Sequence, residues 1–267
     1  MSMPDLRGAW NFRDVADAAG LRPGRFFRSS ELSALEDAGR DALRRLGVLD
    51  VADLRSPREV ERRGPGRVHD DVAIHLLPFP DLAEDADGEA PHEHSFTRML
   101  TEEPGDEPPE EAALRYMTEE YRRFPTLGGA KTAVRQVISL LASGRPVITH
   151  CFAGKDRTGF TVAVVLESLG VDRDAILADY LRSNDAVAQL RERILTMVHE
   201  RAGSELTPEA VLFAEARLSD EVLGVREDYL LAARESIDAN YGSLDGYLRE
   251  AGVSPEDVDA LRAALLT

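Results

Sequence analysis

Residues 146–170 read PVITHCFAGKDRTGFTVAVVLESLG, and no other stretch limits the fold as strongly. Pro146–Cys151 is an apolar, β-branched run of strand length, and Arg157 opens a helix apolar enough to be buried that ends at Gly170. Only five residues, Phe152 to Asp156, separate the cysteine from that arginine, so the strand feeds straight into the helix. A buried strand joined so tightly to a buried helix belongs to a mostly parallel sheet covered by helices.

The first 80 residues repeat this alternation. Arg25–Ser29 reads as a short strand, Val48–Arg55 as a buried parallel strand and Val72–Phe79 as another. Ser33 is placed to cap a helix through Leu46, with Glu36 completing a capping box. Ser56-Pro57-Arg58-Glu59 opens a second helix with cap, first-position proline and third-position acid in order. Residues 81–108 are rich in carboxylates, proline and glycine and read as an acidic flexible insertion. Helical periodicity returns at Pro109–Phe124 and Leu127–Ala142, then at Asp172–Arg182, Ala186–Arg201, Pro208–Arg217, Glu227–Tyr241, Leu244–Glu250 and Pro255–Leu265. The expectation is one α/β domain over residues 1–267: a central, mostly parallel sheet flanked by helices, with a large helical C-terminal portion.

The formal net charge of −17 argues against nucleic acid or an anionic membrane as a bulk electrostatic partner. No apolar run approaches the ~18 residues of a transmembrane segment, and the N-terminus has no signal-peptide pattern. The cytoplasm is therefore the default compartment, with export left only to a route that needs no such signal. The single cysteine excludes an internal disulfide. Lysine occurs only at Lys131 and Lys155, in a chain whose other cations are arginines.

A strand, five residues and an arginine opening a helix make a phosphate cradle. The loop Phe152-Ala153-Gly154-Lys155-Asp156 can wrap with its N–H groups inward, Gly154 giving the backbone its freedom. Arg157 can grip two phosphate oxygens with its planar fork. The same N–H groups, helix dipole and cation would acidify the Cys151 thiol and ready it to attack phosphorus. His150 is expected to order the loop by hydrogen bonds, and Thr158 to donate its hydroxyl to the sulfur. The plain alternative is a buried core cysteine, as most lone cysteines are.

The pattern H-C-x5-R-[ST]-G, with NFRD (Asn11–Asp14), FFRSSEL (Phe26–Leu32), VADLRSPREVERRGPGRV (Val51–Val68), EYRRF (Glu120–Phe124) and YGSLDGYLREAGV (Tyr241–Val253), resembles the bacterial tyrosine/serine protein phosphatases of dual or triple specificity. The likeness runs along nearly the whole chain and is weakest at Asp81–Glu111. It implies a cysteine-phosphatase fold and a metal-independent protein-tyrosine phosphatase without cofactor, acting through a phosphocysteine. The implied substrates are phosphorylated proteins (phosphotyrosine, some phosphoserine and phosphothreonine) and phosphoinositides. It also implies a helical lid over about 208–241, although the amphipathic pattern of those helices reads as ordinary core packing for most of their apolar residues, and it implies an acid role for the loop aspartate Asp156. Asp53, at the end of a central strand, and Asp81, in PFPDL, are the competing acids, ranked in that order; for Asp53, pairing with Arg55 or Arg13 to shape the rim is at least as good a reading as catalysis.

Lys155 either binds a second phosphate or neutralises Asp156. Arg13, Arg28, Arg55 and Arg58 come from segments that this topology can bring to one edge as a basic pocket; each taken singly reads rather as a surface ion pair. Two other function classes stay open at this point. One is a catalytically inactive module that only binds phosphorylated ligands; the other is sulfur transfer or arsenate reduction, which shares cysteine loops.

Overall fold

A computed structural model describes residues 4–79, 108–201 and 218–266. Among them one sheet is built from β1 (Arg13–Asp14), β2 (Phe26–Ser29), β3 (Asp50–Asp53), β4 (Ala73–Leu76) and β5 (Val147–His150). The order is β1-β2-β5-β3-β4, parallel except for β1 at one edge. The N-terminal helices are α1 (Ala16–Ala19), α2 (Asp37–Arg45) and α3 (Pro57–Arg63). Next come α4 (Pro109–Arg123), α5 (Gly128–Ala142), α6 (Asp156–Ser168), α7 (Arg173–Leu181) and α8 (Val187–Arg201). The last are α9 (Asp220–Leu223), α10 (Glu227–Tyr241), α11 (Leu244–Glu250) and α12 (Pro255–Leu265). No described helix is long and apolar enough to cross a membrane.

Strand periodicity divides the core. Phe26, Ala52 and Val147 face a large cluster with α4, α5, α6 and α10. Their neighbours Phe27, Val51 and Ile148 face a smaller one with Leu35, Leu43 and Val48. At the carboxyl ends of the central strands, Ser29, His150 and Asp53 stand abreast in register. Open parallel sheets gather their sites just beyond such a row, and Cys151 is the next residue.

The expected cap of α3 forms in full: Glu59 N donates to Ser56 Oγ and Ser56 N to the Glu59 carboxylate. The expected cap at Ser33 does not. α2 starts at Asp37, and the Ser33 hydroxyl is buried without a hydrogen bond. Residues 32–36 are drawn into tertiary contacts instead, with Leu32 and Leu35 fully buried and Glu36 N donating to Arg7 O. β4 is shorter than expected and lies at the sheet edge, where Ile74 is 38% and Leu76 42% exposed.

The expected lid span divides. Residues 208–217 lie outside the described residues, as does the acidic insertion up to residue 107. Glu227–Tyr241 is core rather than cover: α10 packs on α4, with Tyr229, Ala233 and Ile237 in the large cluster. The described elements over the cysteine loop are instead α8 and residues 218–223. Leu190, Ile194, Leu218 and Leu223 pack there on Phe152 and Ala153.

Candidate active site

Four consecutive loop carbonyls are held by the scaffold. Cys151 O accepts from His150 Nδ1 at 3.1 Å and Phe152 O from Glu31 N at 2.9 Å. Asn11 Nδ2 donates to Ala153 O at 3.1 Å and to Gly154 O at 3.0 Å, and Arg28 Nη2 donates to Gly154 O at 2.8 Å. In a planar trans peptide the N–H points opposite its C=O. Anchoring these carbonyls therefore turns the N–H groups of Phe152, Ala153, Gly154 and Lys155 away from the scaffold. The free N–H groups at the start of α6 follow directly, since Lys155 O accepts the first helical bond from Gly159 N.

Gly154 is required twice over. Its φ is +67°, and a Cβ there would stand 2.1 Å from the Ser29 carbonyl. Asn11, which holds two of the carbonyls, has φ +53°, a left-handed conformation that asparagine tolerates.

Arg157 is gripped end-on by Glu59, with Nη1–Oε2 at 2.6 Å and Nη2–Oε1 at 2.8 Å, and Nη1 also donates to Leu54 O at 3.2 Å. The capping glutamate of α3 thereby fixes the plane of the guanidinium. His150 is fully buried, and burial pushes its pKa down despite Asp53 nearby. Its bond to a carbonyl places a ring proton on Nδ1, and Nε2 is buried without a hydrogen-bond partner.

Several expectations need revision. Asp53 is 1% exposed and bound by Arg55, with Nε–Oδ1 at 2.9 Å and Nη2–Oδ2 at 2.7 Å. Burial would raise its pKa, but His150 and Arg55 together hold it below the usual carboxylate range. It is an ionised structural partner, not a poised acid. Arg55 also reaches Glu31 Oε2 at 3.0 Å. Arg13 Nε and Arg28 Nη1 meet Asp179 at 2.8 and 2.5 Å.

Arg13, Arg28 and Arg55 are thus buried and neutralised, and the expected basic pocket is not built from them. Burial, with Arg28 beside it, lowers the Arg13 pKa to about 10 against the pull of Asp179, so it stays charged. Arg58 is half-buried on α3. Asp81 lies outside the described residues. The Thr158 hydroxyl is buried without a hydrogen bond, so the expected bond to the sulfur is not made here.

Lys155 does not project as a rim cation. Its Nζ donates to Val222 O at 2.5 Å and Gly224 O at 3.1 Å, and lies 3.6 Å from Asp156 Oδ2. Burial lowers its pKa, while Asp156 first and Cys151 after it act to raise it. Asp156, at the first turn of α6, accepts from Tyr121 OH through Oδ1 at 3.0 Å.

A family model described as the tyrosine phosphatase family matches residues 4–267. The chain belongs to that family. It is 63% identical over 275 residues to the triple specificity protein phosphatase PtpB of Mycobacterium tuberculosis, covering 100% of both chains. It is 26% identical over 251 residues to a tyrosine-protein phosphatase of Nostoc commune, covering 93% of this chain and 76% of that one. The phosphatase site holds residues that motif reading did not assign: Asn11, Glu31, Glu59, Asp179, Tyr121 and Tyr180. Glu59 had a signal, but it read as a helix cap. Asn11 sits in NFRD, whose part in holding loop carbonyls only the tertiary structure reveals.

Proposed function

We propose that this phosphatase hydrolyses phosphomonoesters, above all phosphotyrosine in proteins, by passing the phosphoryl group through Cys151. The observation that carries the reading is the row of scaffold-held carbonyls at residues 151–154, which turns successive N–H groups to the other side of the loop. With the N-terminus of α6 they form a donor array for the three equatorial phosphoryl oxygens. Arg157, oriented by Glu59, adds charge where the transition state spreads it.

In the first step the Cys151 thiolate forms an S–P bond as the ester P–O bond breaks, and Asp156 gives its proton to the leaving oxygen. In the second, water attacks phosphorus, Asp156 takes its proton, the S–P bond breaks and inorganic phosphate leaves. Lys155, with its ammonium 3.6 Å from Asp156 Oδ2, offsets the negative charge on the carboxylate. The reading of Lys155 as a second-phosphate site would need residues 222–224 to release its ammonium.

A broader range that includes phosphoserine, phosphothreonine and phosphoinositides accords with the printed name of the mycobacterial relative, a triple specificity phosphatase. A panel of phosphopeptides and phosphoinositides assayed in EDTA tests it. Turnover of phosphotyrosine peptides is expected to survive chelation and vanish in Cys151→Ser, with tungstate binding retained. Full activity in Cys151→Ser would overturn the assignment.

A further inference from the structure

The loop aspartate is held by one buried phenol, which a second buried phenol holds in turn. Tyr121 OH donates to Asp156 Oδ1 at 3.0 Å, and Tyr180 OH donates to Tyr121 OH at 2.7 Å. Tyr121 is 0% and Tyr180 1% exposed, whereas the Asp156 side chain is 24% exposed. Packing fixes both rings. Tyr121 lies 5.0 Å from Phe124 and 5.6 Å from Tyr229, centroid to centroid. The Tyr180 ring rests on the bare Cα of Gly159, where a Cβ would come within 2.8 Å of Cε2. The glycine of the Arg-Thr-Gly sequence therefore serves close approach of the tyrosine, not a turn, because it lies inside α6.

We propose that Tyr121, held by Tyr180, is a positioning residue that commits Asp156 Oδ1 as an acceptor and leaves Oδ2 as the oxygen that gives and takes the catalytic proton. This rests on the acid and base role of Asp156 given above. Because Tyr180 donates to Tyr121, the Tyr121 proton faces the carboxylate. Both phenols stay protonated, since burial first and the Asp156 charge second push their pKa values well above the usual tyrosine range. They orient Asp156 and do not relay its proton. The other groups facing Asp156 are Tyr116 from α4, Tyr229 from α10, and Lys155 with its ammonium 3.6 Å from Oδ2.

A donor to a carboxylate favours the ionised form. Removing it in Tyr121→Phe should move the pH profile of the rate upward, because the ionised carboxylate loses a donor. The loosened carboxyl should also lower kcat/KM by about tenfold for phenyl phosphate, and less for para-nitrophenyl phosphate, whose leaving group needs little protonation.

The test measures both substrates across pH for wild type, Tyr121→Phe and Asp156→Asn. Should Tyr121→Phe not accumulate as folded protein, Tyr180→Phe replaces it, with the same signs and a smaller shift. If Asp156→Asn lowers kcat/KM, which reports the first step, equally for both esters, the acid role of Asp156 falls. If Asp156→Asn discriminates between them while the tyrosine variant neither moves the profile nor discriminates, this inference falls and the acid stands. A uniform loss of rate with lowered thermal stability would mark Tyr121 as merely structural and overturn the proposal.

Discussion

Replacing Asp179 by asparagine removes one negative charge from a place where two guanidiniums depend on it. Asp179 is 1% exposed, with Arg13 Nε at 2.8 Å and Arg28 Nη1 at 2.5 Å. Breaking a buried pair by deleting one partner costs about 3–5 kcal/mol, because the remaining charge is stranded. Two cations are stranded here, although Ser183 Oγ and the Asp179 carbonyl keep part of their hydrogen bonding. For a chain of this size each kcal/mol moves the melting temperature by about 2–4 °C, so a fall of roughly 10 °C is expected at pH 7.

The loss depends on pH in a defined direction. Burial alone would raise the Asp179 pKa, but Arg28 and Arg13 hold it below its unfolded value. Its stabilisation is therefore fully present above about pH 4, the unfolded value, and is lost as pH falls through the depressed folded pKa. The gap between wild type and Asp179→Asn should be constant from pH 5 to 8 and shrink below about pH 4. Because Arg28 also holds Gly154 O, kcat/KM should fall beyond what unfolding explains. Scanning calorimetry across pH provides the readout. A drop below about 3 °C at pH 7, or a gap that widens on acidification, would refute the reasoning.

Gly154→Ala combines a left-handed φ with a Cβ 2.1 Å from the Ser29 carbonyl, so the loop must shift. It should lose at least ~100-fold in kcat/KM with little change in far-ultraviolet circular dichroism. Steady-state rates within about threefold of wild type would contradict the loop geometry. Glu59→Gln leaves the shape of the α3 cap but removes the charge opposite Arg157. KM for para-nitrophenyl phosphate should rise about tenfold as the guanidinium loses its fixed plane. An unchanged KM would mean that Arg157 is oriented without Glu59.

Much of this architecture was legible because local and global signals agree. The apolar run at Pro146–Cys151 and the helix after Arg157 admit only a buried strand and a buried helix, and both form where the pattern puts them. Ser56 caps as read, with proline in the next position and both bonds of the capping box made. Ser33 misled because the burial of Leu32 and Leu35 outweighs one capping bond. The arginines misled for a different reason. Asp179, the partner of Arg13 and Arg28, lies more than 150 residues from both and carries no motif of its own. Charge signs along a sequence do not say which cations are already neutralised. The same limit hid Tyr121 and Tyr180, which read as ordinary helical aromatics until Gly159 gives one of them a seat.

The most direct test of the central claim is to quench the enzyme in acid during turnover and map the phosphoryl group by mass spectrometry. Asp156→Asn, which should slow hydrolysis of the intermediate, is the form to use, with para-nitrophenyl phosphate as substrate. The account predicts one phosphoryl group on the peptide that carries Cys151, absent in Cys151→Ser. Phosphate on His150, or steady release of inorganic phosphate with Cys151 never modified, would contradict it.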